Sequence, residues 1–136
     1  MLKKADHLWE KYVSGIVRKI DIYDPPFADN LDYIGHIKAH VDYVPSDEFF
    51  ESLRAWLLDR HEERLLYFLT EAVKGENTSF ELGIEDLDRT TLTTINPGYC
   101  NLFVGVDFSW AIFIDDEGNI HVAGNRHLFR TFEQFF

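Results

Sequence analysis

Cysteine is almost absent from this sequence, and long apolar runs are absent altogether. The single thiol, Cys100, cannot close an internal disulfide and lacks the neighbouring ligands of a structural zinc site. No segment approaches the roughly 18 apolar residues of a membrane-spanning helix. Residues 1–6 include two lysines, but no apolar stretch follows them as it would in a signal peptide. Together these absences predict a cytoplasmic protein.

Basic residues are scarce as well. The chain carries 13 Lys and Arg against 24 Asp and Glu, a formal net charge of −11. Such a field repels nucleic acid and anionic membranes and attracts basic proteins. The same excess also serves solubility, so both roles stay open at this point. If the charge is used for recognition, the expected partner is a basic protein.

Sequence signatures of catalysis and cofactor binding are missing too. The glycines are isolated and form no phosphate-binding pattern. Ser109-Trp110 lacks the context of a nucleophile elbow. Cys100 lies in a predicted strand among alternating apolar residues, which favours an inert buried thiol over a nucleophile activated by His121 or His127. We therefore predict no catalytic residue and no cofactor.

Two histidines, His36 and His40, have the spacing at which a helix could present both to one metal ion. They fall in a segment that alternates like a strand, where their Cα atoms would lie about 13 Å apart. The prediction is therefore a solvated strand face and no metal site. The basic group Arg126, His127 and Arg130 could bind an anion, but we expect it to balance nearby acids.

The residues that are abundant are apolar and aromatic. Apolar types make up 46% of the chain, and 12 residues are Phe, enough for a well-filled core. The length suits a single domain over residues 1–136. Helical spacing predicts a helix over 6–20, and alternation predicts a strand over 32–44, with a helix through the same segment as the alternative.

Residues 47–73 have helical periodicity and are predicted as one bent helix or two helices that meet near Asp59. Ser46 would cap the start, and Gly75 would stop the end. The inward-facing residues of the first part are predicted to be Phe49, Phe50, Leu53, Trp56 and Leu57.

The second half is predicted to be mainly strands, and Gly124-Asn125 is predicted to open a terminal helix. Because the strands are grouped rather than alternating with helices, we predict an α+β fold. It would consist of an antiparallel sheet, with a meander in residues 79–123, packed against two or three helices including one at the C-terminal end. The predicted strands cover residues 79–84, 90–95, 99–108, 110–115 and 119–123.

Acidic residues concentrate in the predicted turns of this half, where water would keep them ionised. The run after Ile114 does not match the alternating ligands of a calcium loop. We predict that these turns contact a partner. The candidate partner-binding residues are Glu85, Asp86 and Asp88 in one turn, and Asp115, Asp116 and Glu117 at the tip of a hairpin.

The segment from Asn101 to Asp115 is a predicted strand pair passing through Trp110, followed by the hairpin sequence Glu117-Gly118-Asn119 and an apolar terminal helix. In size, acidity and α+β layout this part of the chain, residues 99–136, resembles small acidic bacterial immunity proteins. Those proteins neutralise a toxin of a polymorphic-toxin or contact-dependent inhibition system. The resemblance implies a non-enzymatic protein whose partner is a basic toxin domain, and it assigns no individual site residues.

Two other functions stay open on the sequence. One is a small enzyme that uses a carboxylate or His121 in a cleft between sheet and helices. The other is a structural or adaptor module that binds a different protein. A deep pocket with convergent titratable groups would favour the enzyme, and a convex acidic surface would favour a binding protein.

Overall fold

The computed structural model describes residues 3–4, 32–38, 46–68, 79–95, 101–114 and 119–136. Within these ranges seven strands form one sheet in the order β1-β4-β3-β5-β6-β7-β2, and all neighbouring strands are antiparallel. The strands are β1 (Lys3–Lys4), β2 (Asp32–Lys38), β3 (Arg64–Phe68), β4 (Ser79–Gly83), β5 (Asn101–Gly105), β6 (Ala111–Ile114) and β7 (Asn119–Gly124).

The helices of the described ranges are α1 (Asp47–Asp59), α2 (Arg89–Ile95) and α3 (Arg126–Glu133), with a 3-10 turn at Ile84–Asp86. The Ser46 hydroxyl caps α1 by accepting from the Phe49 N–H at 3.2 Å, as predicted. The Asn125 side chain caps α3 in the same way. None of the described helices is long and apolar enough to cross a membrane. The α+β class with a C-terminal helix is thus confirmed.

One face of the sheet packs against α1 and α3, and we call it the helical face. All five α1 residues predicted to face inward are buried there. Trp56 packs edge-on against Trp110 and Phe132, with ring centroids 5.0 and 5.4 Å apart. Phe132 in turn stacks on Phe136. Edge-to-face and offset pairs of this kind add to the free energy gained from burial alone.

The opposite face of the sheet is also apolar. Its cluster is buried to 4% exposure or less, and Phe108 packs against its margin. The helix predicted over 6–20, whose apolar stripe would suit such a face, lies outside the described residues. The buried residues of this second face are Leu66, Phe68, Leu102, Val104, Ala111, Phe113 and Ala123.

The predicted helix beyond Asp59 is wrong over residues 64–68, which form β3 within the sheet. Its last part, residues 69–73, lies outside the described residues. The apolar run of residues 65–69 suits a buried helix or a strand covered on both faces, and periodicity alone does not separate them. Here Leu65 and Tyr67 enter the helical face, whereas Leu66 and Phe68 enter the other. Because both faces of β3 are buried, its residues are apolar in succession and do not alternate with polar ones.

A Schellman motif ends α1 before that strand. The N–H of Glu62 donates to the Leu57 carbonyl at 2.9 Å, and the N–H of His61 donates to the Leu58 carbonyl at 3.0 Å. His61 holds a left-handed conformation with φ of 59°. That position is usually glycine. The end of α1 agrees with the predicted alternative of a helix that stops near Asp59, although a strand and not a second helix follows it.

The strand predicted over 90–95 is also wrong, since this segment is α2. Asp88 caps it by accepting from both the N–H and the hydroxyl of Thr91, each at 2.7 Å. The hydroxyls of Thr93 and Thr94 donate to carbonyls one turn earlier. The cap offsets the weak helix propensity of β-branched residues, and the back-bonds satisfy the two hydroxyls within the helix.

The remaining strands are confirmed with refined limits. The meander proper runs through β5, β6 and β7, while β3 lies between β4 and β5. A strand is confirmed over Asp32–Lys38 of the predicted 32–44, and the helical alternative is excluded there. The register shifts between Tyr33 and Gly35, so the strict two-residue alternation predicted for this strand is broken by a bulge.

Candidate functional site

Three connecting segments meet at one end of the sheet, where β3 begins and β4 and β5 end. Arg64 pairs with Gly83 and Leu65 pairs with Gly105, so the three strand ends lie side by side. The Ile84 N–H donates to the Glu63 carbonyl at 3.0 Å and joins two of the segments directly. We call residues 59–64, 81–88 and 105–110 the acidic end of the sheet. Its exposed carboxylates belong to Asp59, Glu63, Glu85 and Asp107.

Arg60 is held within the protein at this end. Its Nε lies 2.8 Å from Glu62 Oε2, and its guanidinium lies over the Trp56 ring at 5.1 Å from the centroid. Glu62 also accepts from Trp110 Nε1, at 3.1 and 3.2 Å to its two carboxylate oxygens. One carboxylate thereby satisfies both a guanidinium and the N–H of a fully buried indole.

Arg64 is held in a similar way. Its Nε donates to Glu81 Oε1 at 2.6 Å. That hydrogen bond, with smaller contributions from the charges of Glu81, Glu85 and Asp86, raises the pKa of Arg64. The nearby Arg54 donates to the backbone carbonyl of Leu87. These contacts direct the three guanidinium groups towards acceptors of the same chain. The acidic end holds eight carboxylates (3 in 59–64, 4 in 81–88 and 1 in 105–110) against two arginines, so its local field is negative.

Residues 105–110 form a tight turn with a built-in hydrogen-bond network. The Gly105 N–H donates to the Trp110 carbonyl at 3.0 Å, and the Phe108 N–H donates to the Gly105 carbonyl at 2.9 Å. Asp107 Oδ1 accepts from the N–H and the hydroxyl of Ser109, at 3.0 and 2.7 Å. These bonds, with the hydroxyl as the larger cause, lower the pKa of Asp107. The exposed carboxylate is thus ionised and fixed in direction.

The predicted partner-binding residues of the first turn have unequal roles. Asp86 Oδ2 accepts from the Gly83 N–H at 3.0 Å. Asp88 caps α2, and the two bonds from Thr91 lower its pKa, with the backbone bond first. Glu85 is exposed, and Asp86 and Asp88 are half-buried. Two of the three side chains therefore stabilise the local fold, and Glu85 is the best placed to contact a partner.

The other predicted group, Asp115, Asp116 and Glu117, lies outside the described residues. The strand ends that flank it, Ile114 and Asn119, lie at the opposite end of the sheet from the acidic end, since Ile114 pairs with Asn101. That end includes a buried polar contact in which the Tyr67 hydroxyl donates to Asn101 Oδ1. The strand ends beside the second predicted group therefore lie at the other end of the sheet from Glu85, Asp86 and Asp88, so the two predicted groups do not adjoin a single surface.

Sequence reasoning missed several residues of the acidic end. Glu62, Glu63 and Asp107 were not predicted to belong to a binding surface, although the Asp107-Phe108-Ser109 order is a signal for an Asx-type turn. Large exposed apolar residues were not identified either. Among the described residues these are Leu58 and Val106, with 53% and 51% exposure, and each directly precedes an exposed Asp.

The other candidates of the sequence analysis do not assemble into a site with three or more ligands. The described part of the chain contains no group of at least three His, Cys, Asp or Glu that could hold a metal ion. His121 is half-buried, with its ring 6.1 Å from that of Phe113. Arg126, His127 and Arg130 are exposed on α3. Cys100 lies outside the described residues, so its low reactivity stays a prediction.

Comparison of the chain with protein families, with curated proteins and with solved structures finds no match. A functional proposal must therefore be drawn from the geometry and charge of the chain itself.

Proposed function

We propose that this chain is a non-enzymatic binding protein of the immunity type, which uses its acidic end to cover a basic surface of a protein toxin. The observation that supports this proposal is the unequal use of charge at that end. Arg54, Arg60 and Arg64 are engaged by acceptors of the same chain, whereas four carboxylates are exposed. The net charge of −11 extends the attraction of a basic partner beyond this surface.

Charge and apolar contact would contribute to different stages of binding. Exposed carboxylates act mainly on encounter, because a complementary field accelerates association. Affinity usually depends on apolar or aromatic anchors that become buried. Trp56 and Trp110 are fully buried and cannot act as anchors for a partner. The proposal therefore assigns the anchor role to Leu58 and Val106, beside the exposed carboxylates of Asp59 and Asp107.

The experiment measures association and dissociation rates with a candidate basic toxin domain, chosen from the products of neighbouring genes, at low and physiological salt. The test variant is Glu63→Gln with Glu85→Gln. The charge-matched control is Glu48→Gln with Glu133→Gln, which changes exposed acids in the first turn of α1 and the last turn of α3. We expect the test variant to associate several-fold more slowly, with little change in dissociation and a weaker salt dependence.

Equal association rates for test and control variants would contradict the assignment to the acidic end. An association rate that does not change with salt would contradict electrostatic steering altogether. Failure to bind any such toxin domain would contradict the immunity-type proposal. An adaptor or an enzyme would then be the functions that stay open. A separate Val106→Ala variant should raise the dissociation rate if the apolar anchors are assigned correctly.

A further inference from the structure

A group of basic side chains lies directly beside the acidic end of the sheet. The last residue of β7 is Gly124, and a Cβ atom added there would lie 3.2 Å from the carbonyl oxygen of Ser109. The turn of residues 105–110 therefore touches the chain just before α3 begins. We call the following exposed residues of α3 the basic group: Arg126, His127 and Arg130.

The basic group has no acid partner within the described part of the chain. The salt bridges there are those of Arg60 with Glu62 and of Arg64 with Glu81. No hydrogen bond or ion pair of a described residue involves a side chain of the basic group. The expectation that this group balances nearby acids is therefore not supported by any direct ion pair among the described residues.

Local stability does not explain where these charges are placed. Arg126 is the first residue of α3, where the positive end of the helix dipole disfavours a cation. Arg130 follows four positions later, so two like charges lie on the same side of the helix and repel each other. The cap comes from Asn125, which accepts from the Leu128 N–H at 2.8 Å. The helix start thus does not depend on the basic group, and such conflicts with local stability are expected at functional surfaces.

We propose that the basic group and the acidic end bind one partner together, with Arg126 and Arg130 paired to carboxylates that border the basic surface of that partner. This inference rests on the proposed function. A standard interface covers about 800 Å² of each protein, so one centred on the 105–110 turn extends over the start of α3. A uniformly basic partner is repelled there, whereas one that carries both signs of charge is attracted. The basic group thereby selects among basic toxin domains.

The first test compares variants that each remove one positive charge, in binding kinetics with the candidate toxin domain. Arg126→Gln and Arg130→Gln should each raise the dissociation rate about two- to fivefold, as expected for exposed ion pairs. The matched control is Arg89→Gln, because Arg89 is exposed and is the first residue of α2, as Arg126 is of α3. It should leave the dissociation rate unchanged. All three variants should melt no lower than the wild type, which separates a lost contact from lost stability.

A second test identifies the chemistry of the group that Arg130 contacts. Arg130→Lys keeps the positive charge, and a carbodiimide can join the new amine to a partner carboxylate as an amide. Mass spectrometry of the digested complex should find a cross-link to the toxin domain at position 130. The matched control, Arg89→Lys, should give none at position 89. Cross-links at both positions, or at neither, would contradict the assignment.

The outcomes separate this inference from the function on which it rests. A wild-type chain that binds no toxin domain would overturn both. Wild-type binding with Arg126→Gln and Arg130→Gln equal to Arg89→Gln would overturn this inference alone. Tighter binding by these two variants would also overturn it, because a uniformly basic partner prefers the more acidic chain. Binding of a short DNA duplex by the wild type but not by these variants would assign the basic group to phosphates instead.

Discussion

The helical face and the acidic end differ in the kind of contact that holds them. The helical face is filled by rings and aliphatic side chains from α1, α3 and the sheet, where volume and shape decide the packing. The acidic end is held by polar atoms at hydrogen-bond distance, such as Glu62 with Arg60 and Trp110. The first region should therefore respond to lost volume, and the second to the loss of particular polar atoms or to crowding of a single position.

The largest expected effect comes from removing volume beneath α1. Leu57 is fully buried and Leu58 is mostly exposed, although they are adjacent in the same helix. Leu57→Ala should lower the free energy of unfolding by about 2–5 kcal/mol through lost burial and a residual cavity. Leu58→Ala should change it by less than about 0.5 kcal/mol. Urea denaturation of both variants tests this, and similar losses would mean that the helical face is assigned wrongly.

The next effect tests crowding where the two regions meet. Gly105 is buried against the indole of Trp110, and an added Cβ would lie 2.5 Å from Trp110 Nε1. Gly105→Ala should cost about 1–3 kcal/mol, since the indole must move within a packed core. In Trp110→Phe the smaller ring leaves room, so the same change should cost less there. A double-mutant cycle measures this coupling, and strictly additive losses would contradict the close contact.

Residues of the helical face were predictable from sequence because burial in a helix leaves a periodic pattern. The five inward residues of α1 followed from spacing alone, and both N-caps have conventional cap residues. The end of α1 near Asp59 was only one of two predicted alternatives, because His61, not glycine, takes the left-handed position. β3 was hidden because a strand covered on both faces loses its alternation. In α2, a side-chain cap outweighed β propensity.

The acidic end was less predictable because its contacts join distant positions. The contact between Glu62 and Trp110 joins positions 48 residues apart, and no local sequence pattern predicts it. The sequence identified turns rich in acids, but it could not separate Asp86 and Asp88, which bond the backbone, from the exposed Glu85. Charge composition predicts an overall field, whereas the role of each carboxylate depends on which donors the fold brings to it.

A smaller effect tests the polar contacts of the acidic end. Glu62→Ala removes the acceptor of the Trp110 N–H, which should cost about 1–2 kcal/mol because that indole is fully buried. The adjacent Glu63→Ala changes an exposed carboxylate, keeps the backbone bond to Ile84, and should change stability by less than about 0.5 kcal/mol. Chemical denaturation of the pair, with tryptophan fluorescence as probe, separates the two outcomes. Equal losses would mean that Glu62 contributes only surface charge.

The smallest effect is specific to pH and concerns the cap of α2. Both hydrogen bonds from Thr91 favour the ionised form of Asp88, so its pKa in the folded state lies below the usual value of 3.8. A lowered carboxyl pKa adds stability above the unfolded pKa, and this stability is lost as pH falls through the folded one. Asp88→Asn keeps an oxygen cap but does not titrate. It should cost about 0.5 kcal/mol at neutral pH, mainly through the lost charge at the helix N-terminus.

That cost should disappear as the pH falls from about 5 to about 2, because protonation of Asp88 removes the same charge from the wild type. Denaturation with urea at several pH values measures the difference between wild type and variant. Thr91→Val removes the hydroxyl donor to Asp88 and keeps the N–H donor. The pH dependence of its stability should therefore lie between those of the wild type and of Asp88→Asn. A constant difference between wild type and Asp88→Asn across this range would show that the cap bonds do not depend on the charge. The cap would then stabilise α2 through its shape and not through its charge. Shape also decides the packing of the helical face, so the contrast between the two regions would be smaller than proposed.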